Sequence, residues 1–221
     1  MNIEQARFNM VEQQIRPWEV LDQEVLDLLY VVRREEFVAP AYRELAFSDL
    51  EIPLTENAGT GEKMMAPKIE ARVLQELAVK PSDKVLEVGT GSGYLTALLA
   101  HRAAQVHSIE IEPALKAFGD ANLRRAGIRN VQTELGDGAR GWPKHAPYDA
   151  IVLTGSTPVL PEALLAQLKP RGRLFAVVGE LPVMSARLVT CIAERSYRAL
   201  DLFETVLAPL RNAEQRDKFV F

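Results

Sequence analysis

Cysteine is almost missing from this 221-residue chain: Cys191 stands alone, so no internal disulfide can staple the fold. A reducing compartment, the cytoplasm, is the expected setting. No apolar run approaches the roughly 20 residues needed to span a bilayer. Glu4, Arg7, Glu12 and Arg16 interrupt the N-terminal stretch where a signal peptide would carry its apolar centre. Positive charge is not in excess either. Twenty-six Lys and Arg against 30 Asp and Glu leave a net charge of −4, without the basic footprint that nucleic acid requires. His101, His107 and His145 show no metal-ligand spacing, so no metal is expected. Internal repeats and low-complexity segments are absent too. With 48% hydrophobic and 25% charged residues, the chain is expected to bury one core and form a single domain, 1–221.

What is present concentrates at 84–94, Lys-Val-Leu-Glu-Val-Gly-Thr-Gly-Ser-Gly-Tyr. Val85, Leu86 and Val88 read as a strand buried on both faces, and Leu95, Leu98 and Leu99 recur at helical spacing. Strand, glycine-rich turn and helix present backbone free of side chains at the carboxyl edge of a parallel sheet. A dinucleotide fingerprint would place its third glycine where Tyr94 stands. The acid two residues before Gly89, Glu87, repels a pyrophosphate and suits an ammonium. The segment from Glu87 to Gly93 resembles the cofactor loop of class I methyltransferases, which bind S-adenosylmethionine and release S-adenosylhomocysteine.

Before this loop the chain reads helical and irregular. Phe8, Val11 and Ile15 fall on one helical face until Pro17 stops it, and Asp22 caps a helix striped by Val25, Leu28, Leu29 and Val32. The cluster Arg33, Arg34, Glu35, Glu36 reads as a solvated helix end, and 40–61 as loop, broken by Pro53, Asn57, Gly59 and Gly61. Pro67 opens a helix with Ile69, Val73, Leu74 and Leu77 on one face. After the loop, strands are expected at 105–110, 130–135, 148–154 and 174–178, with helices opened by Pro113 and Pro161 and a turn at Gly172. Two antiparallel strands, 185–193 and 200–207, follow. The expected fold is α/β: a doubly wound, mostly parallel sheet of about seven strands with a C-terminal antiparallel pair and an N-terminal helical extension.

Acids mark the strand ends. Glu110 lies 23 positions beyond Glu87, where an α/β fold presents a carboxylate to the hydroxyls of a ribose, with Ile111 beside it. Asp137, between Gly136 and Gly138, is placed to meet an adenine amino group, although Asp-Gly also favours a plain tight turn. The candidate cofactor residues are therefore Glu87, Gly89, Thr90, Gly91, Ser92, Gly93, Glu110, Ile111, Asp137 and Gly138. No catalytic base is named. A sulfonium donor is already activated, and a carboxylate acceptor is ionised at neutral pH.

Further segments sharpen the resemblance. Residues 25–40 end in Arg-Arg-Glu-Glu-Phe-Val-Ala-Pro, and 46–49 read Ala-Phe-Ser-Asp. Residues 136–138, 141–143, 146–150 and 168–172 match as well. Over roughly residues 8–179 the chain resembles the protein-L-isoaspartate O-methyltransferases. The resemblance implies methylation of the α-carboxyl of isoaspartyl residues in damaged proteins or peptides. The resulting ester collapses to a succinimide, which can hydrolyse to aspartate. Residues 1–81 would form a substrate-side extension and 82–221 the cofactor-binding core. Met64, Met65, Ala66 and Pro67 would border the transferring methyl. The family's substrate loop reads Gly-x-Thr-Ile-Ser-x-Pro, whereas here Lys63 takes the Thr slot and Met65 the Ser slot. A thioether cannot donate the hydroxyl's hydrogen bond. A different acceptor, or cofactor binding without isoaspartyl activity, is the alternative reading. The polar tail after Leu210 departs from the family as well.

Overall fold

A computed structural model describes residues 2–55 and 61–215. Asn57 and Gly59, and the tail beyond residue 215, lie outside the described residues.

The N-terminal helix α1, Ile3–Asn9, runs into a π-helical turn, Met10–Ile15, and ends in a 3-10 turn at Arg16–Trp18. The wider π turn shifts the phase of the buried stripe. Met10, Val11 and Ile15 are buried, while Phe8, expected on the same face, is 49% exposed. Helix α2, Gln23–Val31, is capped as its sequence predicts: Glu24 N and Val25 N donate to the Asp22 carboxylate at 2.9 and 3.3 Å. The described part of the 40–61 stretch, residues 40–55, is more ordered than a loop. Pro40–Phe47 winds as 3-10 helix, and β1, Ile52–Pro53, pairs antiparallel with β2, Lys63–Met64. Pro67 supplies the first residue of α3, Pro67–Leu77, with Ile69, Val73, Leu74 and Leu77 buried.

The main sheet then builds in order: β3, Lys84–Val88; α4, Tyr94–Arg102; β4, Gln105–Glu110; α5, Pro113–Arg125; β5, Val131–Leu135. It continues with β6, Tyr148–Leu153; the one-turn α6, Glu162–Leu165; β7, Leu168–Glu180; β8, Val183–Ala193; and β9, Ser196–Glu204. Strand order is β5-β4-β3-β6-β7-β8-β9, parallel from β5 to β7 and antiparallel for the last two pairings. This is the predicted seven-stranded, doubly wound sheet. The chain leaves β3 on one side for β4 and returns on the other for β6, so a crevice opens at the carboxyl end of β3. Side chains alternate between two cores. Val85 and Val152 join the helical N-terminal region on one face, and Leu86, Ile109 and Ile151 pack on the other.

Two further readings of the sequence are corrected. Gly172 does not separate α6 from a short strand. It lies inside the long β7, where a bulge against Tyr148 and Ala150 absorbs the extra residues and Arg171 takes a left-handed φ of 67°. The 33–36 cluster is not a solvated helix end either, because Arg34 and Glu35 are buried. Arg7 pairs with Glu35. Arg34 donates to the carbonyls of Ala46 and Met65, both at 2.8 Å, and pairs with Glu70 at 3.3 Å. Burial pushes the Glu70 carboxyl up to about 7, against the opposing pull of Arg34.

Removing one partner of a buried ion pair strands the other charge, typically at about 3–5 kcal/mol. Arg34→Ala should lower urea-denaturation stability by an amount of that order. Glu70→Gln in the same background should recover part of the loss. A loss under about 1 kcal/mol for Arg34→Ala would show that water enters and replaces the guanidinium.

Candidate active site

The glycine loop takes its shape from close contact. Gly89 has φ 99°, and a Cβ there would collide with the Thr154 hydroxyl, so only glycine lets β3 and β6 close together beneath the loop. Gly89 N donates to Ile109 O at 2.7 Å, tying the turn to β4. Gly93, with φ 79°, is the N-cap of α4 and presses on Gly119 of α5.

Around the loop lies a cavity of about 370 Å³, in the usual range for a small-molecule site. Nine of the ten cofactor candidates line it: Glu87, Gly89, Thr90, Gly91, Ser92, Glu110, Ile111, Asp137 and Gly138. Gly93 is not in the wall and serves the packing of α4 on α5. Met64 and Met65 also line the cavity. Ala66 and Pro67 do not: Ala66 faces a second hollow beside Lys68 and Leu207, and Pro67 begins α3.

Glu87 sits fully buried on the cavity side of β3. Its Oε2 accepts from Ser108 Oγ at 2.6 Å and from Thr96 Oγ1, while its Oε1 has no hydrogen-bond partner. Burial pushes this carboxyl up to about 8. The Ser108 and Thr96 hydroxyls oppose the rise, and the charges of Glu110 and Glu70 add to it. A cation at Oε1 would reverse that balance. Glu110 is held differently. Gly91 N donates to its Oε2 at 2.9 Å and Glu112 N to its Oε1 at 3.0 Å, which leaves lone pairs for hydroxyl donors. Asp137 Oδ1 accepts from Ala139 N at 2.9 Å. The residues therefore fit a ligand with an ammonium at one end and hydroxyls at the other.

The sequence reading missed the roof. Ala208, Pro209, Leu210 and Arg211 line the cavity. Arg211 pairs with Glu62 on one side and with Glu112 at 3.0 Å on the other, and Asn212 Nδ2 donates to Asp137 Oδ2 at 2.9 Å. Nothing local marks 208–212 as a lid. Its position follows from the bridge of Pro209 to Ser156 at the end of β6. Lys63, at the mouth, pairs with Glu51 at 3.4 Å and is half-exposed.

Residues 5–213 match the family described as Protein-L-isoaspartate(D-aspartate) O-methyltransferase. A protein-L-isoaspartate O-methyltransferase of Gloeobacter violaceus is 41% identical over 170 residues, covering 77% of this chain and 81% of that protein. A solved protein-L-isoaspartate O-methyltransferase superposes with a TM-score of 0.81 at 24% identity, over 92% of this chain and 65% of that one. The beta-aspartate methyltransferase of Plasmodium falciparum, solved in complex with S-adenosyl-L-homocysteine, superposes with a TM-score of 0.78 at 22% identity, over 92% and 97%.

The raised Glu87 carboxyl generates a pH dependence. Unfolded, it ionises near 4.5; folded and ligand-free, it keeps its proton up to about 8. Its contribution is complete below the unfolded value and is lost as pH rises through about 8. Relative to Glu87→Gln, the ligand-free protein should lose stability between about pH 5 and pH 8.5 in urea titrations. A difference that grows in the opposite direction would mean that Glu87 is already ionised in the fold.

Proposed function

The chain belongs to the protein-L-isoaspartate(D-aspartate) O-methyltransferase family, and from that premise we propose a protein-repair enzyme. It moves a methyl group from S-adenosylmethionine to the α-carboxyl of an isoaspartyl residue in a damaged protein or peptide. The observation that carries the cofactor assignment is the unpartnered, buried Oε1 of Glu87 on the cavity wall. It is a buried acceptor whose ionised form a positively charged donor favours. The co-crystallised S-adenosyl-L-homocysteine of the Plasmodium relative is the demethylated form of such a ligand.

Bound S-adenosylmethionine supplies an activated methyl on a sulfonium. The chain's own residues do the rest. Glu87 takes the ammonium, with Gly89, Thr90, Gly91 and Ser92 giving a wall free of bulky side chains. Glu110, with Ile111 alongside, accepts from the ribose hydroxyls, and Asp137 and Gly138 border the adenine. Met64 and Met65 cover the reacting end with thioethers that exclude water. Ala66 and Pro67 set the direction in which this loop enters α3. The acceptor carboxylate is ionised at neutral pH and needs no base. Positioning it in line is the catalytic task, and Lys63 and Arg211 at the cavity mouth supply the positive charge.

In this reading residues 1–81 form the substrate-side extension and 82–221 the cofactor core, and the enzyme works in the cytoplasm. Among the described residues no helix is long and apolar enough to cross a membrane. Met65 favours one second reading, the same scaffold serving a different acceptor, because the loop lacks the family's hydroxyl.

An isoaspartyl peptide and labelled cofactor should yield a base-labile methyl ester, whereas the matching aspartyl peptide should yield none. Equal labelling of both peptides would sink the repair assignment. Met65→Ser separates the two readings. Little change, under about threefold in kcat/KM, fits a loop already suited to isoaspartate, and a gain above about tenfold fits one adapted to another acceptor.

A further inference from the structure

His107 and His145, 38 positions apart in sequence, meet in the fold. His107 lies on β4 and shares the face of Ile109, and the 3-10 turn Pro143–His145 lies over it. The two imidazoles stack with centroids 4.1 Å apart and planes 14° from parallel. Glu134, on the edge strand β5, completes the group: His145 Nε2 donates to its Oε1 at 2.5 Å. One ligand atom from each of the three side chains falls within 4.8 Å of the other two. His107 is itself 3% exposed, and its Nδ1 is buried without a hydrogen-bond partner. From this arrangement we propose that His107, Glu134 and His145 form a binding site for a divalent transition cation of the zinc class, separate from the cofactor cavity.

Two imidazoles and one carboxylate are the donor set that zinc takes when a fourth position is left to solvent. With bonds of about 2.1 Å, tetrahedral ligands stand roughly 3.4 Å apart, so the widest gap needs a contraction of little more than about 1 Å. Because an imidazole binds a metal in its own plane, one of the two stacked rings must also swing out of the stack. His107 is fixed by its strand. His145, on a short turn with its side chain 22% exposed, is the partner free to adjust.

The supporting shell is present. Trp142 Nε1 donates to Glu134 Oε1 at 3.2 Å, and Lys84 Nζ donates to the His145 carbonyl at 2.5 Å, holding the turn in place. Lys144 pairs with the other Glu134 oxygen and is the cation's rival for that carboxylate. A bound cation would take the place of the hydrogen bond between His145 and Glu134. It would also fasten the Pro143–His145 turn to the edge strand β5. None of the three ligands lines the cofactor cavity, so the proposal does not depend on the methyl-transfer reading.

The test is zinc uptake by the full-length, chelator-treated protein, read by competition with a chromophoric chelator. Wild type should take up one equivalent, and saturating zinc should raise its melting midpoint by about 5 °C. His145→Ala and Glu134→Gln should each weaken uptake by about a hundredfold and abolish the thermal shift. His101→Ala should leave both unchanged. Circular dichroism and methyl transfer to the isoaspartyl peptide confirm that the variants are folded. No uptake by wild type, or an equivalent retained in both site variants, overturns the proposal.

Discussion

The buried guanidinium of Arg34 is the interaction on which the Met65 side of the cavity depends. A desolvated charge must be met from every side. Here the partners come from four segments: the Ala46 carbonyl in the 40–47 turn, the Met65 carbonyl in the loop before α3, Glu70 on α3, and the Tyr94 ring at the start of α4, 5.9 Å away. The position of Met65 relative to the glycine loop is therefore set by electrostatics rather than by local propensity. A buried ion pair is weak evidence for net stability, since an apolar replacement of the same volume often does as well. What a guanidinium adds is direction. Its fixed donors admit one arrangement of these four segments.

The same cavity gathers Glu87 and Glu110, with Glu70 close enough for its charge to act on Glu87. Three carboxylates in a low-dielectric region cannot all stay ionised without compensation. Each is relieved differently. Arg34 offsets Glu70, backbone N–H groups of Gly91 and Glu112 donate to Glu110, and Glu87 keeps its proton up to about pH 8. Under the proposed reading this division matches the polarity of the ligand. The ammonium would meet Glu87, whose ionised form a cation favours, and the hydroxyls would meet Glu110, already hydrogen-bonded to two backbone N–H groups.

Features written in neighbouring residues were legible in the sequence. Asp22 as a cap, Pro67 and Pro113 as helix openers and the apolar runs of β3 and β6 each answer to local sterics or periodicity. The acids at the ends of β3 and β4 were legible because strand–turn–helix order fixes which edge they occupy. What escaped depended on distant partners. Arg34 reads as solvated until Glu70, 36 residues on, closes over it. Phe8 reads as buried until a π turn shifts the phase behind it. The lid at 208–212 and the His107–His145 stack arise from register and chain return, for which a linear pattern carries no signal.

Met65 shows how such non-local contacts bear on chemistry. Its carbonyl is committed to Arg34 and its side chain offers no donor, so neither orients an acceptor carboxylate. Lys63 and Arg211, the cations at the mouth, are paired with Glu51, Glu62 and Glu112, with side chains 48% and 44% exposed. Pairs this exposed are worth about 0–1 kcal/mol, so a substrate carboxylate can displace one at little cost. The buried Arg34–Glu70 pair has no such freedom. Under the proposed methyl-transfer reading, two roles that one loop hydroxyl would otherwise combine are separated. A rigid buried pair fixes the loop, and exchangeable surface pairs would receive the substrate, so orientation at the reacting carbon would be a property of the lid as much as of the loop.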